Sequence, residues 1–203
     1  MSQGQAESFE RCISAGGVVV FPADTVYGLA CDPENSFAVQ RLYLLKRREL
    51  EKPSAVMFFD LELALHSLPQ LGARTRTALQ ALLPGGVSLL VPNPAHRFSL
   101  ACGRDPGTLG LRVVAVDTLG GARTAVLQSS ANRAGGRDPC SIPEVPKLLR
   151  AAADMVIDAG ELPGTPSTVV DLRGYESAGQ WSVVRHGAVE EEVLRAALSS
   201  PEE

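Results

Sequence analysis

Short apolar runs recur along this chain, each closed by residues that stop regular structure. A helical lead-in near residues 6–15 ends at Gly16-Gly17, and V-V-V-F then reads as a buried strand closed by Pro22. A-D-T-V-Y-G-L-A follows as a turn into a second short extended piece. Asn35 or Ser36 caps a helix through Phe37, Leu42 and Leu45 that runs into K46-R-R-E-L-E-K52, placing Lys46 and Arg48 in its last turn. S54-A-V-M-F-F reads as a strand, and helices are predicted at 61–68 and 74–83, the second stopped by P84-G-G. Further strands are predicted at V87-S-L-L-V, L109-G-L-R-V-V, A125-V-L-Q-S, M155-V-I-D, T168-V-V-D-L and W181-S-V-V-R. Helices fit at 143–153, with Ser141 as a cap, and at 189–198.

Strands interspersed with helices, some separated only by turns, predict an α/β fold with a mixed, parallel and antiparallel sheet. No repeat or long linker divides the chain, so one domain over 1–203 is expected, with its core at about 8–190 and with disorder in the first six and last five residues. The 203 residues are 45% hydrophobic and 21% charged, ordinary values for a globular protein. No apolar run reaches the roughly 18 residues of a membrane span, and the first residues lack a signal-peptide pattern. A cytoplasmic protein with no membrane partner is expected.

Charge and chemistry narrow the picture. Net charge is -4, which removes a global basic field for nonspecific nucleic-acid binding. Cys12, Cys31, Cys102 and Cys140 are scattered, which points to reduced, mostly buried thiols. His66, His96 and His186 show no ligand spacing, and His66 reads as a helix-face residue; no protein-held metal is expected. There is no G-x-x-x-x-G-K-[ST], no G-x-G-x-x-G after a strand and no G-x-S-x-G. A phosphate site would therefore use side-chain cations and hydroxyls. Four positive charges lie within K46–K52. They are either a solvated helix end favoured by the macrodipole or cations aimed at an anion. S129-S-A-N132 follows a strand, where open α/β sheets bind ligands, although on composition alone a polar turn is the favoured reading. S167-T-V-V-D and R185-H-G also put polar groups at strand edges.

Taken in order, P22-A-D-T-V-Y-G-L, K-x-R-x-x-x-K-P, S-x-N, S-T-V-V-D and R-x-G closely resemble the YrdC-like family of threonylcarbamoyl-adenylate synthases, across about residues 8–190. The resemblance implies a twisted mixed sheet with a concave cavity. It implies an enzyme that joins L-threonine, bicarbonate or CO2, and ATP into threonylcarbamoyl-AMP, releasing pyrophosphate, with Mg²⁺ accompanying ATP. It also implies hand-off to a partner that modifies a tRNA adenosine beside the anticodon, with tRNA contact an open point. By the same resemblance Lys46 and Arg48 are the catalytic cations, holding ATP phosphates together with Lys52. Thr108, Asn132, Ser141 and Arg185 match nucleotide contacts. Thr25, Arg112, Ser130 and Ser167 match threonine contacts, Arg112 through the carboxylate. Asp24 and Asp171 are read as structural carboxylates ahead of Mg²⁺-side groups.

Departures from the family pattern are P84-G-G for P-G-P, R112-V-V for R-V-P, a short Arg112–Ser130 segment around D117-T-L-G-G, and Met57 where some members carry a polar substrate contact. These changes are expected to alter the cavity wall or substrate fit and leave the fold intact. The chain resembles the short form of the family, without the appended C-terminal domain. Two other readings stay open: a paralogue of the same fold with another acceptor or no activity, and a noncatalytic RNA-binding module. The acidic balance and the 5% aromatic content count against the last.

Overall fold

The computed structural model describes residues 2–199. In chain order the elements are α1 (Ser2–Ser14), β1 (Val19–Pro22), β2 (Tyr27–Cys31), α2 (Ser36–Lys46), β3 (Ala55–Phe58), α3 (Leu61–Ser67), α4 (Ala73–Leu82), β4 (Val87–Pro92), β5 (Thr108–Val113), β6 (Val126–Ser130), α5 (Lys147–Ala152), β7 (Met155–Val156), β8 (Thr168–Asp171), α6 (Tyr175–Ala178), β9 (Ser182–Arg185) and α7 (Glu191–Leu198). The strands form a 9-stranded sheet in the order β7-β1-β2-β6-β3-β5-β4-β8-β9. β1/β7, β3/β5 and β4/β8 pair parallel and the other neighbours antiparallel, the mixed sheet expected.

Side chains alternate across a strand, and the two faces of this sheet are covered unequally. Val18 and Val20, Val56 and Phe58, Leu89 and Val91, and Leu109 and Leu111 all enter one large apolar cluster. Helices α2 to α7 cover that face with Leu42, Leu65, Leu79, Leu149, Tyr175 and Leu194. The alternate residues Val19, Phe21, Met57 and Val126 enter a smaller cluster with Phe9 and Ile13 of α1. Helix α1 covers only part of this second face. The rest of it is open and forms the cavity described below.

Several sequence expectations need correction. Helix α1 begins at Ser2, so most of the expected disordered start is helical, while Met1 and residues 200–203 lie outside the described residues. The helix expected at 143–153 is broken: a 3₁₀ turn spans Ile142–Glu144, and α5 starts only after Pro146, whose ring has no N–H for a continuous ladder. Ser141 precedes that turn without a side-chain capping bond. Asn35 does cap α2, accepting from the Ala38 amide. Lys46 ends α2, Arg47 is left-handed at φ 52°, and Arg48 therefore lies beyond the last turn. Met57 is fully buried in the α1 cluster and is not a cavity residue. The short 114–125 segment, a single 3₁₀ turn at Asp117–Leu119, packs Leu119 into the same cluster and does not wall the cavity.

Candidate active site

Strand register builds the cavity floor. Gln128 of β6 pairs with Ala55 of β3, Ala55 with Gly110 of β5, and Gly110 with Leu90 of β4. The two smallest residues sit mid-row, so the sheet itself is the base of a hollow of about 370 Å³. Ser88, paired with Val169, extends the lining toward β8, and Val169 pairs with Arg185 of β9. Thr25, Arg48, Thr108, Arg112, Ser130, Ser167 and Arg185, seven of the positions predicted from sequence, all line this one hollow. Residues separated by up to 160 positions in the chain, Thr25 to Arg185, are brought together by sheet order and by the turns and loops that leave the strands.

Three polar atoms around the hollow are buried without a hydrogen-bond partner: Thr25 Oγ1, Arg48 Nε and Arg112 Nε. Buried polar groups are otherwise almost always paired, so such atoms point to a bound molecule. Each arginine is tethered by another arm. Arg48 Nη2 donates to Pro53 O at 2.7 Å, Arg185 Nη2 to Ser167 O at 2.8 Å, and Arg112 Nη2 to Asp24 Oδ1 at 2.6 Å. The Arg112 side chain is only 4% exposed. Burial raises the Asp24 carboxyl above its ordinary value, against the pull of Arg112. Asp24 itself is left-handed at φ 62°, and its Oδ1 also accepts from the Thr25 amide at 2.6 Å. One carboxylate oxygen thus fixes both Thr25 and Arg112, the structural role expected of Asp24. Asp171 pairs with Arg173 at 2.6 Å, away from the hollow.

Lys46, Lys52, Asn132 and Ser141 are not on the lining. Lys52 is exposed and pairs with Glu49 at 3.7 Å. Lys46 is 1% exposed, and its ammonium donates to Ser130 O, to Asn132 O at 2.9 Å and to Asn132 Oδ1 at 2.9 Å. Burial first, then repulsion from Arg48, pushes that ammonium down to about 8. Asn132 spends its amide as well: Oδ1 also accepts from Ser130 Oγ at 2.9 Å, and Nδ2 donates to Gly136 O at 2.6 Å and Asp138 Oδ1 at 2.9 Å. Thr108 donates its hydroxyl to Asp105 at 2.6 Å.

Sequence reasoning missed Ser54, Ser88, Gln128, Asp105 and Asp138, all on the lining. Ser88 and Gln128 carry a legible signal, a polar residue at one alternate position of an otherwise apolar strand. Ser88 Oγ lies 2.8 Å from Ser167 Oγ, which also accepts from Arg185 Nη2 at 3.3 Å. Whichever serine donates to the other, one hydroxyl hydrogen is left over beside a guanidinium. Chemically, the hollow offers tethered cations and hydroxyls to an anionic ligand.

Among family models, that of Sua5/YciO/YrdC, described as telomere recombination, matches residues 11–187. The chain belongs to the Sua5/YciO/YrdC family. It is 33% identical over 173 residues, 80% of this chain and 90% of the relative, to threonylcarbamoyl-AMP synthase of Nitrosococcus oceani. It is 31% identical over 177 residues, 85% of this chain and 95% of the relative, to threonylcarbamoyl-AMP synthase of Stutzerimonas stutzeri. Among solved structures, P. abyssi Sua5 complexed with L-threonine is similar with TM-score 0.83 at 22% identity, over 98% of this chain and 58% of that one. This chain thus spans little more than half of that Sua5 chain. E. coli YciO is similar with TM-score 0.74 at 22% identity, over 96% of this chain and 94% of that one. At these identities the two structures establish the Sua5/YciO/YrdC fold. No helix among the described residues is long and apolar enough to cross a membrane.

Proposed function

We propose that this protein is an L-threonylcarbamoyladenylate synthase, forming threonylcarbamoyl-AMP and pyrophosphate from L-threonine, bicarbonate or CO2, and ATP. The observation that carries the reading is the set of unpartnered buried atoms, Thr25 Oγ1, Arg48 Nε and Arg112 Nε, around one cation-lined hollow. It is supported by relatives of that name at 33% and 31% identity.

On this reading Thr25, Arg112, Ser130 and Ser167 receive threonine, with the Arg112 guanidinium toward its carboxylate. Arg48, Thr108 and Arg185 face the nucleotide, and Arg48 is the cation best placed for phosphate. Lys52 at the surface and Ser141 off the lining have no such place in this arrangement. Threonine's amine adds to CO2 with loss of a proton, or to bicarbonate with loss of water, to give a carbamate, whose oxygen attacks the α-phosphorus while pyrophosphate leaves. Both partners are anions, so the tethered guanidiniums lower the barrier chiefly by offsetting repulsion and by holding the two in contact. No covalent enzyme intermediate is required.

Mg²⁺ enters this reading with the triphosphate. Among the described residues no three His, Cys, Asp or Glu side chains form a metal cage, and Asp105 and Asp138 are the carboxylates on the lining. Such a donor set fits a metal held largely by phosphate oxygens and water. The ion would supply charge neutralisation across the phosphates. The product is a reactive mixed anhydride, which implies hand-off to a partner that transfers the threonylcarbamoyl group to tRNA. The test is rapid-quench mass spectrometry with ATP, Mg²⁺ and bicarbonate, with and without L-threonine. Threonine-dependent threonylcarbamoyl-AMP, lost in Arg48→Ala, is expected. ATP turnover without that product would overturn the reading.

A further inference from the structure

Lys46 is the least solvated cation of the basic cluster and lies off the cavity lining. An ammonium has three hydrogens, and all three find acceptors in one short segment: Ser130 O, Asn132 O and Asn132 Oδ1. No hydrogen is left to aim at a phosphate. The same residue is stitched in the other direction, because Lys46 O accepts from the Ala134 amide at 2.9 Å. The segment so gripped is the exit of β6. It carries Ser129 and Ser130 on the lining and passes, through Asn132 Nδ2, to Asp138, also on the lining.

We infer that Lys46 is a positioning residue, whose ammonium ties the end of α2 to the 130–136 loop and so sets the substrate-facing wall, rather than a cation in contact with phosphate. The inference deepens the synthase reading and rests on it for the identity of the ligands. A phosphate-contacting lysine and a loop-tying lysine differ in what their loss does to a ligand without phosphate. Removing a phosphate contact leaves L-threonine binding untouched. Removing the tie weakens L-threonine and ATP together, because Ser130 stands on the wall that both meet.

The experiment compares wild type, Lys46→Met, Asn132→Ala and the double variant by calorimetric titration with L-threonine and, separately, with ATP–Mg²⁺. Circular dichroism confirms folding of each. Charge-assisted hydrogen bonds of this kind are worth roughly a tenfold to hundredfold change in affinity. Lys46→Met is expected to weaken both ligands by about that much. Asn132→Ala should mimic it, with the double variant less than about twofold worse than either, because coupled residues are not additive. Hydrogen exchange without ligand gives a second readout: the Ala134 and Gly136 amides should exchange faster in Lys46→Met while β5 amides keep their rates. A selective loss of ATP with L-threonine binding kept would overturn the inference, as would unchanged exchange at Ala134. If wild type binds neither ligand, the synthase reading fails, and the exchange result alone still decides the loop role.

Discussion

The R-x-G ending of β9 has a steric cause that can be tested at Gly187. A Cβ built there would lie 2.2 Å from Pro166 O, 2.6 Å from Ser167 C and 2.7 Å from Ser167 O. Even attractive carbon–oxygen contacts run at about 3.3 Å, so Gly187→Ala must push the 166–167 backbone away by about 1 Å. That backbone is held by Ala188 N to Pro166 O at 2.8 Å and by Arg185 Nη2 to Ser167 O at 2.8 Å. Two hydrogen bonds at about 1 kcal/mol each, with overpacking strain of about 1–3 kcal/mol, give a loss of about 3–5 kcal/mol. For a domain of this size that lowers Tm by roughly 6–20 °C. The displaced segment carries Ser167 and its contact to Ser88, so ligand affinity should fall as well. Urea and thermal unfolding of Gly187→Ala measure the first effect and calorimetric titration the second. A Tm within about 2 °C of wild type would show that the approach is relieved elsewhere, and the steric account of the motif would be abandoned.

Thr25→Val removes a buried oxygen that has no partner. Stability should rise by about 1 kcal/mol while L-threonine affinity falls roughly tenfold; a destabilised variant would contradict the view that the hydroxyl waits for a ligand. Arg112→Met strands the Asp24 carboxylate, 17% exposed, and should cost about 3 kcal/mol. Adding Asp24→Asn, which suits the left-handed backbone, should recover much of that in denaturant unfolding, and full additivity would argue against the pair. Lys46 titrates near 8 when folded against 10.5 unfolded. Between those pH values the unfolded chain binds more protons, so stability should rise with pH through that window and the gain is lost as pH falls through 8. A shift of this size is worth about 3 kcal/mol at most. The stability difference between wild type and Lys46→Met, measured from pH 7.5 to 10, should drift by that order, and a constant difference would refute the assignment.

The strands were legible because period-two alternation is local. L-G-L-R-V shows it and V-V-V-F is a continuous apolar run; both fold as strands, the first with Leu109 and Leu111 in the large cluster and Gly110 and Arg112 toward the hollow. Strand order was not, since β8 beside β4 and β7 beside β1 are choices of long-range pairing that no window of sequence contains. The helix at 143–153 failed because apolar spacing continued through Pro146, where the missing N–H overrules it. The burial of Lys46 was hidden for a subtler reason. As the last residue of a helix it fits a solvated cation, yet helical spacing puts it on the stripe of Val39, Leu42 and Tyr43, all buried. Phase along the helix, not charge, decided where the side chain points. The same logic would have found Ser88 and Gln128 on the open face.

Charge arrangement favours a small anion over a nucleic-acid surface as the ligand. The chain carries -4 overall, and at physiological salt exposed charges are screened beyond about 8 Å, so little pulls a polyanion in from a distance. Inside the hollow the sign is reversed locally, with Arg48, Arg112 and Arg185 against Asp105 and Asp138. Each of these guanidiniums is anchored by one arm, to Pro53 O, Asp24 or Ser167 O. An anchored cation need not reorganise when charge builds on a reacting group, which is where preorganised electrostatics is most effective. The anchors sit on the loop after α2, on the β1–β2 turn and at the start of β8. The field is therefore a property of the assembled structure, set by groups that come from separate elements of the chain.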